Sequence, residues 1–148
     1  MANVRGCNLP DDLYYLVEKH VWAKPMDGGI LRVGITAVAA KLSGGKLAAI
    51  TVKAKNIGQE VMQGKSLATI ESSKFVGPVP TPVTGVVLRA NEKLATDPNL
   101  AVSDPYGEGW VAEIQASNWD GEKGTLVTGA EGVAAYQAKL EADNITCS

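Results

Sequence analysis

Residues 58–85 read GQEVMQGKSLATIESSKFVGPVPTPVTG, and this segment holds the most informative pattern of the chain. Ser66 to Glu71 and Val76 to Val87 are each typical of a β-strand, and a short turn that contains Lys74 separates them. Prolines interrupt the second strand before it reaches Gly85. The pattern therefore predicts a hairpin with one lysine at its tip, exposed to solvent and to any modifying enzyme.

Composition favours one domain built mainly from short strands. The chain has 148 residues, a net charge of −2, 16 glycines and seven prolines, which together imply many turns. The near-neutral charge offers no phosphate-seeking surface, so we expect no nucleic-acid partner. The first residues contain no apolar run, and no later segment approaches the length of a membrane span. We therefore expect a cytoplasmic protein with no membrane partner.

The segments on either side of the hairpin predict further strands and two helices. Thr36 is a suitable N-cap for a short helix over Ala37–Leu42, and a second helix is expected over Ala130–Asp143 with Val133, Tyr136 and Leu140 on one face. Asn91–Asp104 is expected to be a loop with a short helical turn. Strands are expected at Leu13–Trp22, Ile30–Ile35, Leu47–Val52 and Trp110–Ile114.

Two further sequence features are an internal similarity between two predicted strands and a tryptophan at the start of another. Gly29–Arg32 and Gly85–Arg89 each place a glycine before an apolar run and an arginine, which is a weak internal similarity. Trp110 follows a glycine-rich turn and opens a predicted strand, so we expect it to be a buried anchor of the core.

Cysteine and histidine are scarce, which limits the possible site chemistry. Cys7 and Cys147 lie at opposite ends of the chain, and we expect both to be reduced and incidental. The alternative is a redox pair or tether, which requires the two ends to meet in the fold. His20 is the only histidine; no metal-ligand spacing and no nucleophile motif accompany it. We therefore expect neither a metal site nor catalytic residues.

The hairpin resembles the lipoyl attachment hairpin of the glycine-cleavage H protein family. Its tip reads ESSK at residues 71–74 and its exit reads PVTG at residues 82–85. Two other segments match the same family in order: VGIT at residues 33–36, before the alanine-rich helix, and SDPYGEGW at residues 103–110. The resemblance runs from about His20 to the C-terminal helix.

This resemblance implies a mainly β fold, a hybrid of barrel and sandwich made of two small sheets, with a short internal helix and a C-terminal helix. It also implies a non-enzymatic carrier, with lipoic acid attached covalently to Lys74 by a lipoate attachment enzyme. Biotinyl carriers share the hairpin but flank the lysine with methionines, whereas Ser73 and Phe75 flank it here. His20, Val21, Glu71 and Phe75 are the expected neighbours of the arm or hairpin.

One departure from the family bears on the cargo of the arm. In the family, a His-Glu-Trp segment shields an aminomethyl group, and the matching residues here are His20, Val21 and Trp22. Valine accepts no hydrogen bond, so an ammonium beside it would be desolvated without a partner. Phe75 also replaces the alanine that the family favours.

These departures are similar to the lipoate-binding proteins of the heterodisulfide-reductase-like sulfur oxidation pathway. That similarity implies a sulfur cargo and a heterodisulfide-reductase-like complex as partner. The alternative is an aminomethyl carrier that serves the glycine cleavage enzymes, with drift at Val21 and simple hairpin packing by Phe75. A third hypothesis is that Lys74 is unmodified and the chain is an interaction module.

Overall fold

The computed structural model describes residues 2–147, and short antiparallel β-strands dominate this part of the chain. The strands are β1 (Ala2–Val4), β2 (Cys7–Leu9), β3 (Tyr14–Leu16), β4 (Val21–Pro25), β5 (Ile30–Ile35), β6 (Ala49–Val52), β7 (Glu60–Val61), β8 (Ser66–Glu71), β9 (Val76–Pro80), β10 (Gly85–Ala90), β11 (Ala112–Ala116) and β12 (Val127–Thr128). The helices are α1 (Ala37–Leu42), α2 (Lys93–Thr96), α3 (Leu100–Ser103), α4 (Trp119–Glu122) and α5 (Gly129–Ala142). None of these helices is long and apolar enough to cross a membrane.

The strands form two main sheets around one core. A seven-stranded sheet has the order β12-β3-β4-β5-β11-β10-β7, and a three-stranded sheet has the order β6-β8-β9. Side chains from both sheets meet in a single buried cluster that includes Val33, Ile50, Ile70, Val79 and Ile114. The mainly β prediction is confirmed, but one of the two sheets is larger than expected, and β1 and β2 form an additional hairpin.

A second buried cluster lies beneath α5. Tyr136 and Leu140 are buried on the inner face of this helix, as predicted, and Val133 is partly buried beside them. Trp22 is fully buried in the same cluster, and its Nε1 donates hydrogen bonds of 3.0 Å to the carbonyl oxygens of Ile35 and Pro105. A Cβ on Gly34 would lie only 2.6 Å from the Trp22 ring, so glycine is required for this packing.

Two predicted strands are broken in the structure. Leu13–Trp22 contains β3, a 3-10 turn and the first two residues of β4, because His20 adopts a left-handed conformation with φ of 58° and reverses the chain. Val76–Val87 is divided into β9 and β10, which belong to different sheets. Pro80 and Pro82 flank the crossing point, where a proline has no N–H to donate to a ladder.

Smaller boundary differences occur elsewhere in the chain. Ala37–Leu42 forms the predicted helix, with the Thr36 side chain as its N-cap. Residues 91–104 contain two short helices instead of one turn. The last predicted strand begins at Ala112 and not at Trp110.

The expectation of two reduced cysteines is wrong. Cys7 and Cys147 form a disulfide that spans 140 residues of sequence, with a Cα–Cα distance of 4.9 Å. The ends meet because the segment after α5 packs against the β1–β2 hairpin, where the backbone N–H of Cys147 donates to the Arg5 carbonyl at 2.9 Å. No pattern in the sequence predicted this hairpin.

The expectation of a buried Trp110 is also wrong. Its side chain is half-buried, with the guanidinium groups of Arg32 and Arg89 at 4.7 and 5.4 Å from its ring. Both arginines also pair with Glu113 on the strand between them. Trp110 therefore covers an ion-pair cluster at the edge of the core.

Candidate functional site

The β8–β9 hairpin presents Lys74 at an exposed tip. Ser72 organises the turn, because its backbone N–H donates to the Phe75 carbonyl at 2.8 Å and its hydroxyl accepts from the Phe75 N–H at 3.1 Å. The Lys74 N–H also donates to that hydroxyl, at 3.3 Å. The tip is thus a defined turn, and Lys74 projects from it. Among the contacts described for residues 2–147, no hydrogen bond engages the side-chain amine of Lys74.

The aliphatic stem of Lys74 crosses the C-terminal end of α1. Gly44, which has φ of +89°, lies directly beneath it, and a Cβ at this position would lie 3.1 Å from the Lys74 Cδ. The Gly44 and Gly45 N–H groups donate to the carbonyls of Lys41 and Ala40 and so close the helix. The end of α1 and the hairpin tip therefore form one local unit.

An apolar cleft of about 110 Å³ lies next to this unit. Its wall comes from the start of β4, the end of β5, α1 and the β8–β9 hairpin. The lining residues are Lys19, His20, Val21, Ile35, Ala39, Leu42, Ser43, Ile70, Phe75, Pro78 and Val79. None of these described residues is a carboxylate, so the cleft suits an apolar chain and offers no counter-ion to a cation.

Phe75 lines this cleft and a second one of about 280 Å³, together with Lys19, His20 and Pro78. Its ring packs over Gly77, where an added Cβ would lie 2.4 Å from the Phe75 Cζ, yet 46% of the residue remains exposed. Glu18 lines the second cleft, but its carboxylate pairs with Lys139 at 3.1 Å. Phe75 thus both packs on the hairpin and shapes the cleft.

His20 is held in the cleft wall by α5. Its Nδ1 forms a 3.0 Å hydrogen bond with the hydroxyl of Tyr136, which also lies 3.3 Å from the Thr36 hydroxyl. The two rings are stacked with centroids 5.7 Å apart. Burial, with a smaller contribution from Lys139, lowers the pKa of His20, so the neutral imidazole is favoured in the folded protein.

The structure brings together three of the four predicted neighbours of the site. His20, Val21 and Phe75 line the cleft beside the lysine. Glu71 instead is exposed at the end of β8, opposite Ala49 and Val76, and does not line the cleft. Sequence reasoning missed Gly44, because its contact is with a lysine from a distant hairpin.

Comparisons with known proteins give one family. The profile described as Glycine cleavage H-protein matches residues 13–139. Glycine cleavage system H protein 2 of Aquifex aeolicus is 40% identical over 143 residues, which cover 97% of this chain and 87% of that protein. A probable glycine cleavage system H protein 2 of Sulfurisphaera tokodaii is 36% identical, with 99% and 98% covered.

A solved structure agrees with these sequence relationships. The crystal structure of a glycine cleavage system H protein from Mycobacterium marinum has a TM-score of 0.73 and 30% sequence identity, and the match covers 88% of this chain and 99% of that one. The similarity extends over the hairpin, both main sheets and most of α5. The chain belongs to the glycine cleavage H-protein family.

Proposed function

We propose that lipoate is attached to Lys74 and that this chain is a carrier whose arm passes an intermediate between enzymes. Proteins of this family are non-catalytic and carry lipoate covalently on a lysine. The observation that supports Lys74 is its position, exposed at the tip of an ordered hairpin and beside an apolar cleft. Lipoate supplies a ring disulfide that opens to two thiols.

The residues around Lys74 fit such an arm. The lysine stem passes over Gly44, whose neighbours Leu42 and Ser43 line the cleft. A lysine extended by an acyl chain reaches on the order of 10 Å or more, and Ser43, next to Gly44 in the chain, already lines the cleft. The exposed apolar side chains of the cleft wall, Leu42 and Phe75, would receive the apolar part of the arm.

Intact mass tests the attachment site. We expect one lipoyl-sized gain in the wild-type chain after incubation with a lipoate attachment enzyme and lipoate, and no gain in Lys74→Arg, because arginine keeps the charge but has no nucleophilic amine. Lys65→Arg, at another exposed turn, is the matched control and should show the same lipoyl-sized gain in mass as the wild type. A gain that persists in Lys74→Arg would overturn the assignment, and no gain in the wild type would favour an unmodified interaction module.

The names of the relatives support an aminomethyl cargo as the first candidate. The Aquifex and Sulfurisphaera relatives and the Mycobacterium structure are all named as glycine cleavage H proteins. On this proposal the partners of the chain are the lipoate attachment enzyme and the enzymes of glycine cleavage.

The chemistry of the cleft supports a sulfur cargo as the second candidate. Val21 is only 1% exposed and occupies the position at which the H-protein resemblance implies glutamate. The ionisable groups of the cleft are Lys19 and a largely neutral His20. An ammonium would find no counter-ion there, whereas a neutral or anionic sulfur group would not need one. The partner is then a heterodisulfide-reductase-like complex. Aquifex aeolicus has relatives numbered 2, 3 and 5, so one organism can hold several family members.

A substitution at Val21 distinguishes the two cargoes. Val21→Glu restores a carboxylate, which stabilises an ammonium within about 4 Å by about 1–4 kcal/mol, whereas Val21→Gln adds similar volume without charge. The lipoylated forms are compared in glycine-dependent carbon dioxide exchange with a supplied glycine decarboxylase. Sulfur loading is measured by mass after treatment with a sulfane donor.

The two candidates give different outcomes in these assays. A sulfur carrier takes up sulfur and exchanges weakly, and only Val21→Glu improves the exchange. An aminomethyl carrier exchanges as well as an H protein with glutamate at this position and takes up no sulfur.

A further inference from the structure

The Cys7–Cys147 disulfide fastens the segment after α5 to the N-terminal hairpin. Arg5 is the centre of this contact: its Nε donates to the Ile145 carbonyl at 2.8 Å, and its own carbonyl accepts from the Cys147 N–H at 2.9 Å. Cys7 is fully buried, whereas Cys147 is partly exposed. A reductant in solution therefore meets the Cys147 sulfur first.

The backbone beside this contact includes one residue in an unfavourable conformation. Arg5 has φ of 53°, in the left-handed region that most side-chain-bearing residues rarely adopt, whereas Asn144, with φ of 54°, is a residue type that suits this region just after a helix. Such conformations persist only where surrounding contacts hold them in place. The disulfide is the covalent part of those contacts, so its opening favours relaxation of the segment that follows α5.

The same disulfide packs beside α1, which contributes Ala39 and Leu42 to the cleft wall. Cys7, Val38 of α1 and Tyr136 of α5 belong to one buried cluster, and the Cys147 sulfur lies 3.9 Å from the Ala37 carbonyl at the start of α1. Tyr136 in turn holds His20 in the cleft wall through their 3.0 Å hydrogen bond. A continuous set of packed groups thus connects the disulfide with the cleft.

We propose that Cys7 and Cys147 are a reversible redox clamp, closed by the disulfide and opened by a dithiol reductant, which sets how firmly α5 holds His20 in the cleft wall. This goes beyond the carrier role and rests on it only for the use of the cleft. In the opening step a thiolate of the dithiol attacks the Cys147 sulfur, the disulfide bond breaks, and Cys7 leaves as a thiolate that takes up a proton. The second thiol then attacks the mixed disulfide, releases Cys147 as a thiol and closes the disulfide of the reductant. Two electrons pass from the dithiol to the cysteine pair.

The test uses the full chain with Lys74→Arg, so that no lipoyl group responds to the reductant. The protein is equilibrated with set ratios of reduced and oxidised dithiothreitol, and free thiols are alkylated and counted by mass. Amide hydrogen exchange of α5 and the ring resonances of His20 are followed at the same ratios. We expect exchange in α5 to accelerate at least about tenfold on reduction and the His20 resonances to shift. Amides of the β8–β9 hairpin, in the other cluster, are expected to change less than about twofold.

The control is the double variant Cys7→Ala/Cys147→Ala, which should respond to no dithiothreitol ratio and should resemble the reduced protein. If it does not fold, the redox titration of the intact cysteine pair still decides. Identical α5 exchange and His20 resonances in the oxidised and reduced forms would overturn the proposal. So would a pair that stays oxidised at every ratio at which the protein is folded. None of these measurements involves the arm, so their failure is distinct from failure of lipoylation at Lys74.

Discussion

The stem of Lys74 lies across the backbone of Gly44, so close that a methyl group on Gly44 would be in tight contact with it. A Cβ at Gly44 would lie 3.1 Å from the lysine Cδ, closer than ordinary van der Waals contact. The same glycine ends α1 with φ of +89°. One residue thus meets two separate demands, the end of a helix and the passage of the proposed arm.

Gly44→Ala should therefore affect both stability and lipoylation. Gly45→Ala is the matched control, because Gly45 has a similar φ of +79° but nothing within 4 Å of its added Cβ. Both variants should lose about 1–2 kcal/mol of the free energy of unfolding from the left-handed backbone, measured in urea. Only Gly44→Ala should slow the initial rate of lipoate attachment, and equal rates in the two variants would contradict the role of this contact.

Glu113 should contribute to stability as the shared partner of two arginines. Its carboxylate lies 2.6 Å from Arg89 and 2.8 Å from Arg32, and the residue is only 8% exposed. Glu113→Gln should cost about 1–3 kcal/mol in urea unfolding at neutral pH, because it weakens charged hydrogen bonds. Glu108→Gln, which breaks the exposed pair with Lys93, is the control and should cost less than about 1 kcal/mol.

The contribution of Glu113 should also depend on pH. The hydrogen bond from Arg89, followed by that from Arg32, holds the pKa of this carboxyl below its ordinary value against the opposing effect of burial. The stabilisation is therefore complete above the ordinary pKa and is lost as the pH falls through the lowered value in the folded state. Unfolding of the wild type and Glu113→Gln should converge in acid, and a constant difference between them would contradict this assignment.

His20 should make the fold sensitive to mild acid. Burial lowers its pKa in the folded state, so the unfolded chain binds a proton at higher pH than the folded chain does. Stability is complete above the ordinary value of 6.5 and decreases as the pH falls toward the lowered pKa. In urea unfolding, the wild type should lose more stability from about pH 7.5 to about pH 5 than His20→Asn, a variant that tolerates the left-handed backbone. Equal losses would show that His20 does not carry this dependence.

Trp22 and Trp110 should differ in their effect on stability. Trp22 is fully buried, so Trp22→Ala should cost about 3–5 kcal/mol. Trp110 is half-buried under the two arginines, so Trp110→Ala should cost less, about 1–3 kcal/mol including the loss of cation–π contacts. Urea unfolding checks both values, and a larger loss at Trp110 would place it in the core after all.

Features that depend on neighbours in sequence were predictable. The hairpin around Lys74, the Thr36 cap and the apolar face of α5 are each encoded within a few residues of chain. The break at His20 was not predictable, because a left-handed histidine has no sequence signal of its own. The weak similarity of Gly29–Arg32 and Gly85–Arg89 has a structural counterpart that the sequence did not predict. Arg32 and Arg89 lie on the two strands that flank β11, and both pair with Glu113.

Features that depend on long-range contact were missed for a physical reason. Cys7 and Cys147 are brought together by the packing of α5 and the β1–β2 hairpin, and neither cysteine carries local information about the other. The role of Gly44 depends in the same way on a lysine from a distant hairpin. Val21 and Phe75 were found because they depart from a family pattern, and the structure places both in the cleft.

The bond between Cys7 and Cys147 makes the intervening residues a covalent ring. Closing a ring of this size stabilises the folded protein by about 4–5 kcal/mol, because it reduces the entropy of the unfolded chain. A single protease cut in any surface turn of the ring, such as the one at Gly44 and Gly45, opens it to a linear polymer without releasing a fragment. Two pieces separate on a denaturing gel only after reduction, so the oxidised protein keeps its full mass through a first proteolytic event.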